Sequence, residues 1–274
     1  MSQKLCIFAS ELAIVTRHNH YQNIREYTAK LWQKNFPCDY QTHLSLYKKN
    51  NSVEIIQETP QEYLQKVASS DILKECLKST DVETLNSNKK QLVEDIIKNK
   101  PELNPKELEK IKECVKQVTN TNFGTKHESN SLSKYNKTTN KSIKTTQKFF
   151  KEPFIKTEKY QWLLGGKIDG LDTDEDSIIE FKNRVNRLFY KLRDYEKVQT
   201  MTYMFLLKKT NSRLVESLKT KTDTKMNVIE VDWDQEFWDN EVIVPTKKFI
   251  NDFEILLESK EKKMELLDET FSKS

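Results

Sequence analysis

A short apolar segment that is interrupted by two charges constrains this chain more than any other feature. Residues 178 to 182 read Ile-Ile-Glu-Phe-Lys, so Glu180 and Lys182 stand two positions apart in a run that otherwise resembles a buried strand. Side chains alternate between the two faces of a strand. Both charges are therefore expected on one face, with Ile179 and Phe181 on the other.

A second acidic residue precedes this run. Asp169 is followed by Gly170 and an acidic turn, and a hairpin through that turn would bring Asp169 beside Glu180. Two carboxylates about 4 Å apart repel by roughly 4 kcal/mol at an effective dielectric of about 20, and a bound divalent cation turns this repulsion into attraction. The pattern therefore predicts a metal site.

Chance and a solvent-exposed strand are the alternatives to a site. Glu-x-Lys triplets also occur at Glu258-Ser259-Lys260 and Glu261-Lys262-Lys263, where the surroundings indicate a solvated helix. The triplet at Glu180 differs because it interrupts an apolar run. A charged pair in a buried strand is costly unless it is compensated or used, which favours a functional site.

Length and charge set the outer bounds. A chain of 274 residues can bury one substantial core and carry a smaller module. Its 46 lysines and arginines barely outnumber its 42 acids, so affinity for a polyanion has to come from local clustering. No apolar run is long enough to span a bilayer, and the first residues lack a secretory segment. We expect a soluble, intracellular protein of the cytoplasm or nucleus, without a membrane partner.

The cysteines and histidines show no ligand spacing. Widely dispersed cysteines without a Cys-x-x-Cys pair match neither a disulfide framework nor a zinc or iron-sulfur signature, and the histidines also lack metal-ligand spacing. The residues in question are dispersed: Cys6, Cys38, Cys76, Cys114, His18, His20, His43 and His127. We assign them no chemistry.

The order of predicted elements indicates an α/β fold with a mixed sheet. Residues 1–48 are expected to form N-terminal helices, including one over residues 8–15 that Ser10 caps. Residues 49–120 are predicted as a helical insertion, in which Asn104 caps a helix. Strands and helices of the core follow over residues 121–260, and residues 261–274 are expected to form a charged C-terminal tail.

A basic run precedes the acidic centre. Between Glu128 and Glu152 the chain has no acidic residue, and its lysines alternate with hydroxyl and amide side chains. Such residues suit contacts with phosphate oxygens, with Lys137, Lys141 and Lys144 as the candidates. The alternative is an ordinary solvated loop.

A polar pair lies on the apolar helix that is predicted after Lys182. Gln199 and Tyr203 are four residues apart, so they share a helix face and can reach a common target. Either a site or a buried hydrogen bond explains them.

The order of these motifs resembles the PD-(D/E)xK nucleases, and among them the phage lambda exonuclease and YqaJ-type viral recombinase family. The motifs are Glu128 on a helix, Asp169, Glu180-Phe181-Lys182 and Gln199-x-x-x-Tyr203, together with the N-terminal motif Phe8-Ala9-Ser10-Glu11-Leu12 with Asn19-His20-Tyr21, and the helix start Phe123-Gly124-Thr125-Lys126-His127-Glu128. The resemblance covers residues 8–40 and 122–257. It implies a restriction-endonuclease-like core with a mixed central sheet between helices.

The resemblance also implies a chemistry. Asp169 and Glu180 would hold one or two Mg²⁺ ions, for which Mn²⁺ is a substitute, with the Phe181 carbonyl as a further ligand and Glu128 bound directly or through water. Lys182 would orient or activate the attacking water. Gln199 and Tyr203 would position DNA or brace the centre, and Ser10 and Arg17 would contact the strand and its 5′-phosphate.

The function implied is a Mg²⁺-dependent DNA exonuclease. It would act from 5′ to 3′ on double-stranded ends, in recombination or repair of a viral or mobile genome, and in the host cell if the chain is viral. A single-strand annealing protein and a second copy of the chain are further expected partners. A structure- or damage-directed endonuclease and a catalytically idle DNA-binding scaffold are the alternatives.

Overall fold

Two mixed β-sheets form the centre of the protein, and helices cover them, as the α/β prediction requires. A computed structural model describes residues 3–52, 58–146 and 148–271. The first sheet has the spatial order β1-β4-β3, in which β1 is parallel and β3 antiparallel to β4. Its strands are β1 (Gln3–Phe8), β3 (Phe150–Lys156) and β4 (Tyr160–Gly166).

The second sheet has five strands in the order β2-β5-β6-β7-β8. They are β2 (Lys144–Thr145), β5 (Gly170–Asp172), β6 (Ser177–Asn183), β7 (Asn211–Lys219) and β8 (Thr224–Asp232). Strands β6 and β7 are parallel and the other neighbours are antiparallel. A parallel pair needs a crossover, which the helix α8 (Asp194–Leu207) supplies.

The two sheets meet at residues 167–169. Strand β4 ends at Gly166 and β5 begins at Gly170, so three residues carry the chain from one sheet to the other. Asp169 is the last of the three. The single central sheet that the sequence suggested is thus divided in two at the position of a predicted site residue.

Helices from both ends of the chain pack around the first sheet. They are α1 (Ala9–Val15), α2 (Ile24–Asn35), α3 (Pro37–Asn51), α9 (Gln235–Phe237), a π-helical turn (Trp238–Ile243), α10 (Val244–Glu258) and α11 (Lys260–Phe271). Trp32, Trp162 and Phe253 are among the fully buried side chains of this core. Within the described residues, no helix is both long and apolar enough to cross a membrane.

Four further helices form a separate apolar core. They are α4 (Pro60–Val67), α5 (Ser70–Lys78), α6 (Val82–Asn99) and α7 (Pro105–Thr139). Asn104 caps α7 as predicted, since its side chain accepts from Glu107 N and its own N–H donates to the Glu107 carboxylate. Helix α7 continues for 35 residues and passes through the predicted boundary at residue 120. Residues 53–57 of the predicted insertion lie outside the described residues.

Two local predictions were wrong. Ser10 does not cap α1, because β1 continues to Phe8 and Phe8 is the N-cap residue. Residues of the predicted charged tail form α11 as far as Phe271, and Leu266 and Leu267 are buried against the core. This segment is an amphipathic helix, and the sequence pattern did not indicate it because charged residues outnumber its apolar positions.

Candidate active site

The hairpin of β5 and β6 brings Asp169 beside Glu180. Gly170 pairs with Ile179 in the antiparallel register, which sets the two acids opposite each other. The Phe181 N–H donates to Asp169 Oδ2 at 2.8 Å and fixes the aspartate against the strand. Phe181 itself is buried with Ile179 on the opposite face, against Tyr135. The alternation that was predicted for this strand is therefore present.

Glu180, Lys182, Gln199 and Tyr203 form a continuous chain of hydrogen bonds. Lys182 Nζ donates to Glu180 Oε1 and to Gln199 Oε1, both at 2.9 Å. Gln199 Nε2 lies 3.0 Å from Glu180 Oε1 and 2.8 Å from the Tyr203 hydroxyl. The two residues of α8 thus brace the charged pair of β6.

A glycine lets Tyr203 approach this centre. A Cβ atom at position 166 would lie 2.8 Å from Tyr203 Cε1 and 3.1 Å from the Ala9 Cβ. No ordinary side chain fits there. Gly166 therefore allows β4, α1 and α8 to meet beside Asp169. Ser10 is exposed near the start of α1.

Glu180 lies in surroundings that disfavour its charge. Its side chain is buried, with 4% of the residue exposed, and among the described residues its Oε2 atom has no hydrogen-bond partner. Burial raises the pKa of Glu180 to about 8, with Asp169 adding to the rise and Lys182 opposing it. Burial also raises the pKa of Asp169 above its ordinary value, although the Phe181 N–H and Lys182 oppose this.

Lys182 remains an ammonium. Burial acts to lower the pKa of Lys182, but the Glu180 carboxylate and the acids Glu196 and Asp169 raise it more, so that it lies above its ordinary value. Lys182 is thus positively charged beside the acidic pair, and positioning and charge stabilisation suit it better than removing a proton.

Glu128 reaches the site from α7. Asn183, at the end of β6, donates to the Gly124 carbonyl at 2.7 Å and accepts from Ser131 Oγ at 2.5 Å. Glu128 lies between these two contacts on the same helix face. Glu128 is exposed to solvent at its surface, but the protein around it removes part of its hydration, and this partial desolvation, together with the charge of Asp169, raises its pKa.

The ligand atoms that the site offers fit a hard divalent cation in part. All of these ligand atoms are oxygens, and the buried Glu180 Oε2 accepts no hydrogen bond from any described residue, which suits Mg²⁺ or Mn²⁺. Across residues 3–52, 58–146 and 148–271, however, no group of three or more His, Cys, Asp and Glu side chains is placed so that it could hold a metal ion. The charge of Asp169 raises the pKa of Glu128, but in the described chain Glu128 does not form a three-carboxylate metal site with Asp169 and Glu180.

The predicted DNA-binding lysines differ in their surroundings. Lys134 and Lys137 lie on α7 and Lys144 lies on β2, so this part of the run is not a loop. Lys137 and Lys144 are exposed. Lys141 instead donates to Asp172 at 3.0 Å and also pairs with Glu175, so an internal ion pair holds it and the prediction of a phosphate contact for Lys141 is not supported.

Arg17, another predicted DNA-binding residue, makes no polar contact with the acidic pair among the described residues. It follows the end of α1, is exposed and has a left-handed backbone with φ of 62°.

Sequence reasoning missed a second charged cluster beside the site. Arg184 donates to Glu196 Oε1 at 2.7 Å and to Glu216 Oε1 at 2.8 Å, and all three residues are buried. The alternation that singled out Glu180 and Lys182 continues to Arg184, two residues further on. That continued spacing was the signal that could have found it.

Comparison with known proteins finds similar solved structures but no matching family model or curated protein. An alkaline exonuclease from Laribacter hongkongensis superposes with a TM-score of 0.40 at 15% identity, covering 74% of this chain and 92% of the other. A phage-related exonuclease from Haemophilus somnus 129PT has a TM-score of 0.36 at 14% identity, over 81% of this chain and 99% of the other. Both neighbours are described as exonucleases. The TM-scores are below 0.5, and the proposals below rest on the geometry of the site and on the motifs of the sequence.

Proposed function

We propose that this protein is a Mg²⁺-dependent DNA exonuclease that hydrolyses phosphodiester bonds from 5′ to 3′ at double-stranded ends, in recombination or repair of a viral or mobile genome. One observation carries the hydrolytic part of this proposal. A buried glutamate, one of whose oxygens has no partner in the described part of the chain, lies beside a second carboxylate and a charged lysine. The choice of an exonuclease, its polarity and its setting follow the motif order described above.

Each residue has a distinct part in the proposal. Asp169 and Glu180 would hold the ion, with the Phe181 carbonyl and Glu128 as further oxygens. A bound Mg²⁺ would polarise the phosphate and ease ionisation of the attacking water. Lys182 would stabilise the negative charge that develops on the phosphate. Gln199 holds the lysine and the glutamate in register, and Tyr203 holds Gln199.

The first experiment compares a 5′-labelled linear duplex with a covalently closed circular duplex, in Mg²⁺ or in EDTA. We expect loss of linear DNA in Mg²⁺ alone, with the circle intact, and no loss with Asp169→Asn. Cleavage of the circle would identify an endonuclease of the same fold. Binding without any hydrolysis in Mg²⁺ or Mn²⁺ would identify an idle DNA-binding scaffold and contradict the proposal.

Lys182 provides a test that separates chemistry from binding. We expect Lys182→Ala to lose about 10²- to 10³-fold in turnover, because it removes a charge from the reacting phosphate. DNA affinity should hardly change, since one charge among many phosphate contacts contributes little. An equal fall in affinity and turnover would make Lys182 a binding residue alone.

A further inference from the structure

The loop that follows the catalytic strand has an unusual composition. Only six of the 46 basic residues of the chain are arginines, and three of these six, Arg184, Arg187 and Arg193, fall within ten residues. Arginine differs from lysine because its planar guanidinium stacks on rings and binds phosphate through two donors. The residues 184–193, named here the arginine-aromatic loop, connect β6 to α8, and these two elements carry Glu180, Lys182, Gln199 and Tyr203.

The arginines of this loop surround an aromatic ring. The guanidinium carbons of Arg184 and Arg193 lie 4.6 Å from the centre of the Phe189 ring, and that of Arg187 lies at 5.7 Å. Arg184 is neutralised by Glu196 and Glu216. For Arg187 and Arg193, no carboxylate of the described chain lies at ion-pair distance, so the loop carries uncompensated positive charge.

Two exposed tyrosines flank these cations. Tyr190 is 68% exposed and Tyr21 is 73% exposed. The Tyr21 hydroxyl accepts from Arg193 Nη2 at 2.7 Å, and its ring packs edge-on against Tyr195. The result is a surface of rings and guanidinium groups rather than an apolar patch.

Tyr190 is held outward by its backbone. Its φ is 57°, a left-handed conformation that is rare for a bulky residue and that often marks functional positions. The Tyr190 N–H donates to Glu216 Oε2 at 2.9 Å, and Glu216 lies opposite Lys182 in the pairing of β7 with β6. The loop is therefore anchored one strand away from the catalytic lysine.

We propose that the arginine-aromatic loop and Tyr21 bind unpaired nucleotides of the DNA strand next to the active site. The Tyr190 ring would stack on a base, and Arg187 and Arg193 would contact phosphates. Aromatic side chains among cations suit single-stranded nucleic acid, because every base has a face that can stack. Phosphate contacts with an intact duplex would not require exposed rings. The inference rests on the proposed function for the identity of the strand, but its test measures binding alone.

The experiment titrates the full-length protein in EDTA with a labelled oligothymidine strand, with the same strand made abasic, and with a blunt duplex. Asparagine tolerates left-handed backbone, so Tyr190→Asn removes the ring without adding strain. We expect this variant to bind oligothymidine about 5- to 150-fold more weakly, the loss of one stacked base. The control Tyr190→Phe keeps the ring and should bind like the wild type. The wild type should bind the abasic strand as weakly as the asparagine variant binds oligothymidine.

Several outcomes would overturn the proposal. They are unchanged affinity of Tyr190→Asn for oligothymidine, equal binding of the abasic and thymidine strands by the wild type, and no single-strand binding at all. The last result would direct attention to an acidic protein surface as the partner. The abasic comparison uses the wild type, so it holds even if the variant folds poorly. If the wild type hydrolyses DNA while these tests fail, the loop assignment fails alone, and if the tests succeed without hydrolysis, the catalytic proposal fails alone.

Discussion

Glu180 and Glu216 lie on neighbouring strands and are both buried, yet their carboxylates have opposite surroundings. Glu216 on β7 accepts hydrogen bonds from Arg184 Nε and from the N–H groups of Phe189 and Tyr190, and from Asn227 Nδ2. Glu180 on β6 accepts hydrogen bonds from Lys182 and Gln199 at Oε1, and its Oε2 has no partner among the described residues.

The pKa values follow this difference. Burial acts to raise the pKa of both groups. At Glu216, the backbone donors and Arg184 more than offset it, and the pKa is lowered. At Glu180, Lys182 does not offset burial and the nearby Asp169, and the pKa rises to about 8. The Glu216 carboxylate, whose two oxygens both accept hydrogen bonds, has a structural role. The Glu180 carboxylate, whose Oε2 has no partner among the described residues, is suited to bind an additional positive charge.

The largest expected effect separates activity from stability at Glu180. Replacing Glu180 with Gln should lower DNA hydrolysis by about 10²-fold or more, because the ion loses a ligand. The same change should leave the thermal midpoint equal or higher, since it removes a buried charge with an unpartnered oxygen. Nuclease assays and thermal unfolding in EDTA measure the two quantities, with the exposed Glu265→Gln as control. A fully active Glu180→Gln protein would remove Glu180 from the site.

The converse is expected at Glu216. Glu216→Gln leaves Arg184 with one carboxylate in a buried position, so it should lower the unfolding free energy by about 3 to 5 kcal/mol. Urea unfolding measures this loss. A loss below about 1 kcal/mol, the range of an exposed ion pair, would contradict the structural role of the cluster.

The two glutamates should also respond oppositely to pH. The pKa of Glu216 is lower in the folded state, so its contribution is present above the ordinary value of 4.5 and is lost as the pH falls through the folded pKa. The pKa of Glu180 is higher in the folded state, so the folded protein binds more protons between pH 4.5 and about 8 and loses stability as the pH rises through that window.

Urea unfolding in EDTA from below pH 4.5 to above pH 8 tests this sign. The stability advantage of Glu180→Gln over the wild type should grow across the window from 4.5 to about 8. The disadvantage of Glu216→Gln should shrink below pH 4.5. Parallel curves for the wild type and both variants would show that neither carboxylate has the surroundings described above.

The smallest effect extends the comparison to the lysines. Lys141 is paired with Asp172, whereas Lys137 and Lys144 are exposed. If the exposed lysines contact phosphate, Lys137→Gln and Lys144→Gln should each flatten the slope of log affinity against log salt by up to about 0.9. Lys141→Gln should change the slope little. Anisotropy titrations with duplex DNA measure this slope. If all three variants keep the slope of the wild type, the run is an ordinary solvated surface.

Local patterns determined much of this protein from sequence alone. The alternation of strand residues predicted that Glu180 and Lys182 share a face, and the turn after Asp169 predicted the hairpin. The spacing of Gln199 and Tyr203 predicted one helix face, and the Asn104 cap was correct. These features depend on residues close in the chain, so short-range geometry is sufficient to predict them.

Tertiary structure decided how the charges are paired. Arg184 forms ion pairs with Glu196 on α8 and Glu216 on β7, and Lys141 pairs with Asp172. One oxygen of Glu180 has no partner in the part of the chain that the structure describes. The division into two sheets at residues 167–169 and the burial of α11 were decided at the same level. No sequence pattern fixes such outcomes, because the pKa and the role of a buried charge depend on which distant donors the packed core brings within hydrogen-bonding distance.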